Sequence, residues 1–435
     1  MGGRLRLPLF VLTGCLSALA AETGFQDPEF KRFPFERWQA ENKNQIHWNV
    51  SIPPPELSRH QRLIVRVIAG VDGKELEKRR GAGEFISLIQ YRDSAGHVWQ
   101  NHTSIDLAQL QPGMQRQYLD IVSHAFVLPG DYTISVAICD SRTLEHSVTA
   151  RKVHVDELKS DPLPGSWAGL PPVEFVSPIP DPPDAWYMPE VATRLNLTLN
   201  TKRPVNIRVL LNTTPSQRAA GSVAAMRANM SLLIPALKIL SGIRLSNGTL
   251  GAELLDLTHR RVTFEQSDID ELNWRAMREF FLDNHPGIID AASLQGQWKM
   301  RKFFWDEVSR GLAPGKDGAV PIVIVLSGPA FLEDQEFAET AASPGGSERR
   351  LFYIRYRSQQ PYGRGGRGIL RDTMMGRGGG RLAPQMPVDP DYVRPMPLDD
   401  LEHTVEPLNA RVFDATSATQ FRRILAAVLE QISRL

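Results

Sequence analysis

Between residues 45 and 156, apolar and polar positions alternate with the two-residue period of a β-strand, and turn residues break the alternation every 8–15 positions. The pattern predicts strands at 45–52, 62–70, 84–92, 97–106, 116–127, 131–139 and 146–155. Asp93-Ser94-Ala95-Gly96 reads as a hairpin turn. Seven short strands in succession argue an all-β sandwich. No cluster of His, Asp or Glu stands out within it, so its expected work is structural or adhesive. Residues 158–193 then lose the alternation and fill with proline (Pro162, Pro164, Pro171, Pro172, Pro178, Pro180, Pro182, Pro183). Proline fixes φ and removes a donor, so this stretch is expected to be an extended linker.

From residue 194 the rhythm mixes periods. Leu195–Leu199 alternates, and Val205–Leu211 reads as a strand. Residues 218–240 carry Val223, Met226, Met230, Leu233, Leu237 and Leu240 at three- and four-residue steps, a helical face. Ala252–Leu257 and Arg261–Glu265 read as short strands, and 268–284 and 289–311 as helices. Ala319–Leu326 is almost wholly apolar, as a parallel strand covered on both faces should be. Leu351–Arg355 and Ala410–Phe413 are further strands. Ser417 with Gln420 makes a capping box for a last helix reaching about Ser433. Strands and helices in alternation, with buried central strands, predict a doubly wound α/β domain over 194–435. The expected organisation is therefore 1–21 export signal, 22–44 extension, 45–157 sandwich, 158–193 linker and 194–435 α/β domain.

The signal reading rests on Arg4 and Arg6, the apolar run Leu7–Leu19 and the small-x-small site Ala18-Leu19-Ala20. A rival is Leu12-Thr13-Gly14-Cys15, which looks like a lipobox and would lipidate Cys15. Either way the expected location is secreted or periplasmic, with membrane contact only through that lipid. Cleavage after Ala20 would leave Cys139 as the one cysteine, in the strand-like run Ile134–Ile138; it reads as a small buried apolar residue. Six Asn-x-Ser/Thr sequons, at Asn49, Asn101, Asn196, Asn212, Asn229 and Asn247, are read as chance.

Leu128-Pro129-Gly130-Asp131-Tyr132 resembles the Pro-Gly-x-Tyr element near the end of immunoglobulin-like sandwiches. In the second half, a strand ending Leu211-Asn212-Thr213-Thr214-Pro215-Ser216 opens the domain. An antiparallel-type strand pair and helices follow, then Ile322–Gly328, and Ala410–Ser417 leads into an amphipathic helix. This region resembles a von Willebrand factor A domain, of the divergent secreted type found in Acidobacteria. The resemblance implies a metal-ion-dependent adhesion site at the carboxyl ends of the strands. The family pattern there is Asp-x-Ser-x-Ser, a middle-loop Thr and an Asp after the fourth strand. This chain has Asn212, Thr214 and Ser216 at the first motif and Pro286, beside His285, where the Thr belongs. It has Ser327-Gly328 where the last Asp belongs. A hard cation wants at least one carboxylate, so the site reads as degenerate and no cofactor is expected. A rival reading keeps Mg²⁺ or Mn²⁺ through Asn212, Thr214, Ser216 and an acid such as Asp290. Asn212, Thr214, Ser216, His285 and Ser327 are expected to share one binding face.

The context Val325-Leu326-Ser327-Gly328-Pro329 lacks the Gly-x-Ser-x-Gly of a nucleophile elbow. His259 and His285 stand alone in sequence. The acid pairs Glu333/Asp334 and Asp399/Asp400 read as solvated loop charge. The expected protein is not an enzyme; the alternative is a hydrolase acting through Ser327 or His285 on the same loops. The net charge of +1 argues against nucleic acid as a partner, yet it conceals an asymmetry. Segment 349–381 holds nine arginines and one acid, Asp372. Arg364, Arg367, Arg371, Arg377 and Arg381 lie in a Gly/Arg-rich loop at 358–386. The body is acidic and the loop basic, so the expected partner is a protein or an acidic envelope surface.

Overall fold

The computed structural model describes residues 26–110, 112–113, 115, 117–176, 192–214, 223–277, 299–315, 318–330, 332, 350–356 and 399–435. The chain is a mixed α/β protein with several sheets, and it divides into two compact units.

The first unit comprises residues up to 56, 63–158 and 170–176. Its strands are β1 (Trp48–Ser51), β2 (Glu56–Leu57, which runs into the other unit), β3 (Leu63–Asp72), β4 (Glu84–Asp93), β5 (Val98–Asp106), β6 (Tyr118–Val127), β7 (Gly130–Asp140), β8 (His146–Val155) and β9 (Val173–Phe175). They form an antiparallel sheet in the order β5-β4-β7-β8 and a second in the order β1-β3-β6-β9, with β2 on β3. Phe85 and Ile138 of the first sheet meet Ala69, Val71 and Ile121 of the second in the inter-sheet core.

β4 does not alternate; seven consecutive residues are buried. The reason lies in the N-terminal stretch, where helix α1 (Phe35–Glu41) follows a 3₁₀ turn at Pro28–Lys31. Phe30, Phe33, Phe35 and Trp38 pack on Ile86, Leu88, Ala137, Cys139 and Val148, the face turned away from the inter-sheet core. The segment at 22–44, expected as an appendage, supplies a third layer from Gln26 onward. A second helix absent from the expectations, α2 (Gly73–Arg79), follows β3 and buries Leu76. Tyr132 donates its hydroxyl to the Leu128 carbonyl at 3.0 Å across the turn. Gly130 in that turn has φ 149°, open to glycine without strain.

The second unit contains residues 57–62, 159–169 and 177–435. Its strands are β10 (Leu197–Leu199), β11 (Val205–Asn212), β12 (Ile243–Leu245), β13 (Gly248–Asp256), β14 (Arg261–Gln266), β15 (Val320–Ser327), β16 (Leu351–Tyr356) and β17 (Arg411–Ala415). Its helices are α3 (Val223–Ser241), α4 (Met300–Leu312), α5 (Asp400–Val405) and α6 (Ala418–Ser433). The main sheet runs β14-β13-β11-β15-β16-β17, parallel throughout except for β14 against β13. All eight residues of β15 are buried. Phe304 and Val308 of α4 join Leu210, Val323 and Val325 in one core cluster. Gly311 lets α4 approach: a Cβ there would stand 2.7 Å from Val323 Cγ2. Ser417 caps α6 through the Gln420 amide, but Gln420 returns its side chain to Thr416 rather than to Ser417. The helix expected at 289–311 begins at Met300 among the described residues; the one expected at 268–284 begins only at Trp274, residues 268–273 being irregular, and 278–284 lie outside the described set.

The proline-rich stretch is not a uniform linker. Residues 159–169 fold onto α6 around Arg422, which is 2% exposed. Arg422 donates to both carboxylate oxygens of Asp161 (2.6 and 2.7 Å), to the Leu163 carbonyl and to Ser166 Oγ, and lies over the Trp167 ring. Trp167 donates in turn to the Gln61 carbonyl, and the Gln61 amide to that of Ala418. Proline removed backbone donors from this segment; one buried guanidinium with several acceptors replaces the lost ladder. Residues 177–191 lie outside the described set.

Candidate functional site

In an open sheet of this kind, ligands bind beyond the carboxyl ends of the strands where the strand order reverses. Here that point is the gap between β11 and β15, because the chain leaves β11 for β13 on one side and later returns to β15 on the other. Asn212 ends β11 and Ser327 ends β15. Both are buried, at 1% and 0% exposure.

Asn212 joins the two strand ends. Its Oδ1 accepts from the Thr214 amide at 2.9 Å, closing a tight turn, and its Nδ2 donates to Ser327 Oγ at 2.9 Å. The Thr213 amide and hydroxyl both donate to the Leu255 carbonyl, and Thr214 Oγ1 accepts from the Leu257 amide. The turn after β11 is thereby stapled to the end of β13. Ser327 donates its own hydroxyl to the Gly328 carbonyl at 2.5 Å. Three of the five residues expected on one face, Asn212, Thr214 and Ser327, are thus placed around this crevice. Ser216 and His285 lie outside the described residues, as do Pro286, Asp290, Glu333, Asp334 and the loop arginines Arg364, Arg367, Arg371, Arg377 and Arg381.

The resemblance implies a divalent cation at this crevice. The described trio offers only neutral oxygens. Two of them, Asn212 Oδ1 and Thr214 Oγ1, already accept a backbone N–H, and the Asn212 amide nitrogen faces Ser327. Without a carboxylate, these side chains do not fit a hard cation. Ser327 is fully buried with its proton committed, the geometry of a strand cap rather than of an exposed nucleophile.

Beside the trio lies a charged cluster that the sequence analysis did not assemble. The register sets Ser327 opposite Arg355, and Arg355 opposite Asp414. Arg355 donates from Nε to Asp414 at 2.7 Å, and from one terminal nitrogen to Asp399 at 3.1 Å and Glu402 at 2.6 Å. The Tyr353 hydroxyl donates to the same Asp399 oxygen at 3.0 Å. Asp399 is fully buried and caps α5, accepting from the Glu402 amide at 2.7 Å. Asp399 is therefore not solvated loop charge as expected. Its burial is tolerable because a guanidinium, a phenol and a helix N-terminus all meet it. Arg355 lies in the sheet, on the strand expected at Leu351–Arg355. Burial works against its charge, but the hydrogen bond to Asp414 and the charges of Asp399 and Asp414 outweigh it and raise the guanidinium above its ordinary pKa. Burial first, then the Asp399 charge, pushes the Tyr353 phenol well up. Two signals were available. Arginine in an otherwise apolar strand marks a paired charge, and Asp399-x-x-Glu402 has the spacing of a helix start.

At the end of β13, Asp256 is fully buried and holds His259 through Nδ1 at 2.6 Å. His259, solitary in sequence, thus has a carboxylate partner in space. In the first unit, Cys139 is buried, and burial with the neighbouring Asp140 charge pushes its thiol up to about 12.

No protein-family model matches the chain, and no curated protein matches it. Among solved structures, it is similar to a glycosyl hydrolase family 2 member from Bacteroides cellulosilyticus at 8% identity and a TM-score of 0.20. The match covers 66% of this chain and 37% of that one, so the chain spans well under half of the enzyme's length.

Proposed function

We propose that the chain is a secreted, non-enzymatic interaction module. In this reading an immunoglobulin-like sandwich precedes a von Willebrand A-like domain with a degenerate metal site, and the partner is a protein or an acidic envelope surface. The observation that carries the reading is the placement of elements. The opening strand β11 lies inside the sheet, the antiparallel pair β13–β14 forms one edge, and the strand ending at Ser327 runs beside β11. The last strand, β17, leads into the amphipathic α6. This is the order on which the resemblance rests, and it sets the degenerate motif at the switch point where open sheets receive ligands. The committed hydroxyl of Ser327 supports leaving catalysis out.

The test is capture of partners from an envelope extract by full-length wild type, by Thr214→Arg, by a deletion of 358–386, and by Lys152→Glu on exposed β8 as control. Partners lost with Thr214→Arg or the deletion, and kept by the control, support the reading. Equal capture by all four overturns it.

A further inference from the structure

The three carboxylates around Arg355 come from separate elements: Asp399 precedes α5, Glu402 lies within α5 and Asp414 lies on β17. They converge on a side chain that is 5% exposed. Oxygen-rich convergence of this kind is what a small hard cation requires. Here the position is taken by a cation covalently attached to β16. Among the described residues no group of His, Cys, Asp or Glu is arranged to hold a metal, and the geometry says why. Asp399 and Glu402 meet on one terminal nitrogen of the guanidinium and Asp414 on Nε, so the place a metal would take is already filled by charge.

We infer that Arg355 is the resident cation of the strand-end face, a built-in guanidinium that pins β16, β17 and α5 and makes this unit independent of divalent metal. Two consequences follow. Metal addition or removal leaves the wild-type protein unchanged. Removing the guanidinium leaves three carboxylates beside a cavity, and a hard divalent ion becomes able to replace the missing charge. The inference rests on these side chains and not on the interaction reading, so either stands or falls alone: partner capture reads one, and metal response reads the other.

The experiment uses the full chain, with thermal unfolding and calorimetry in EDTA, in Mg²⁺ and in Mn²⁺. Wild type should unfold at the same temperature in all three and give no heat with Mn²⁺. Arg355→Lys, which keeps the charge, should unfold earlier and stay blind to metal. Arg355→Ser and Arg355→Gln should unfold earlier still in EDTA, and Mn²⁺ should raise their midpoints by about 5 °C. If a neutral variant folds only with Mn²⁺, the inference is upheld. Three results overturn it: Mn²⁺ stabilisation of wild type, a folded neutral variant that ignores Mn²⁺, or failure of both neutral variants to fold even with the ion.

Discussion

Each unit buries an arginine among three carboxylates, and the two are built differently. Arg79 of the sandwich is 3% exposed and meets Glu75, one turn earlier on its own helix. It also meets Glu145 at 2.5 Å and, more distantly, Asp140 at 3.8 Å, at the two ends of one hairpin. Asp140 has other work, accepting from the Arg142 and Thr143 amides to shape that turn. Both arginines draw on acids distant in sequence: Arg355 has partners 44, 47 and 59 residues away, and Arg79 meets Glu145 from 66 residues away. One arginine ties its helix to a hairpin turn, and two of its acids, Glu75 and Glu145, stay partly exposed. The other closes the carboxyl edge of a parallel sheet, where crossovers bring distant acids together. The difference lies in burial: Asp399 is wholly shut away at the sheet edge, whereas Glu75 and Glu145 keep 22% and 39% of their side chains exposed.

The comparison breaks most easily at the two arginines. Arg355→Ala should cost about 3–5 kcal/mol in urea unfolding, because it strands buried carboxylates. Arg79→Ala should cost about 1–3 kcal/mol, since its acids keep water or backbone donors. Equal costs would remove the distinction. Trp38→Ala should cost about 3 kcal/mol or more by stripping the third layer from the sandwich. It should leave the α/β unit's near-ultraviolet signals in place, and joint loss of both units would show that this layer supports more than the sandwich.

A subtler probe is Asp161. Burial opposes its charge, yet the hydrogen bond from Arg422 holds its carboxyl below the ordinary carboxylate range. Its folded pKa therefore lies beneath its unfolded one. The stability it contributes is complete above the unfolded value of about 3.9 and fades as pH falls through the folded value. Asp161→Asn should lower stability at pH 7 and flatten the acid limb of the stability profile; an unchanged limb would deny the pair any such part. The smallest effect is expected of Ser327→Ala. Losing its bonds to Asn212 and Gly328 should cost about 1 kcal/mol, leaving the fold intact. A loss of several kcal/mol would make Ser327 part of the edge pinned by Arg355 rather than a simple strand cap.

Legibility differed between the units for physical reasons. β15 was expected at Ala319–Leu326 and spans Val320–Ser327, because a strand buried on both faces announces itself by continuous apolar residues. α6 was readable from its cap and its amphipathic face. The helices α1 and α2, seven residues each, were not, since two turns are too few to establish a period. Of the site, Asn212, Thr214 and Ser327 were found through a resemblance, and Ser327 follows Asn212 by 115 residues. Asp399 was misread as solvated loop charge, and Arg355, expected at a strand end, was counted with a basic segment without its partners being seen, because sequence does not say which distant acid a charge will meet.

The sequence by itself determined where the chain alternates, where it turns apolar throughout and where proline interrupts it, and from these the order of sandwich and α/β unit. Such signals are sums over many residues, each reporting only which face meets water. Only the tertiary structure decided which polar groups meet. The register sets Ser327 opposite Arg355, the stretch from Asp161 to Ser166 against Arg422, and Asp256 beneath His259. A hydrogen bond depends on a few tenths of an ångström between residues that crossovers and loops bring together, and no local pattern records that distance.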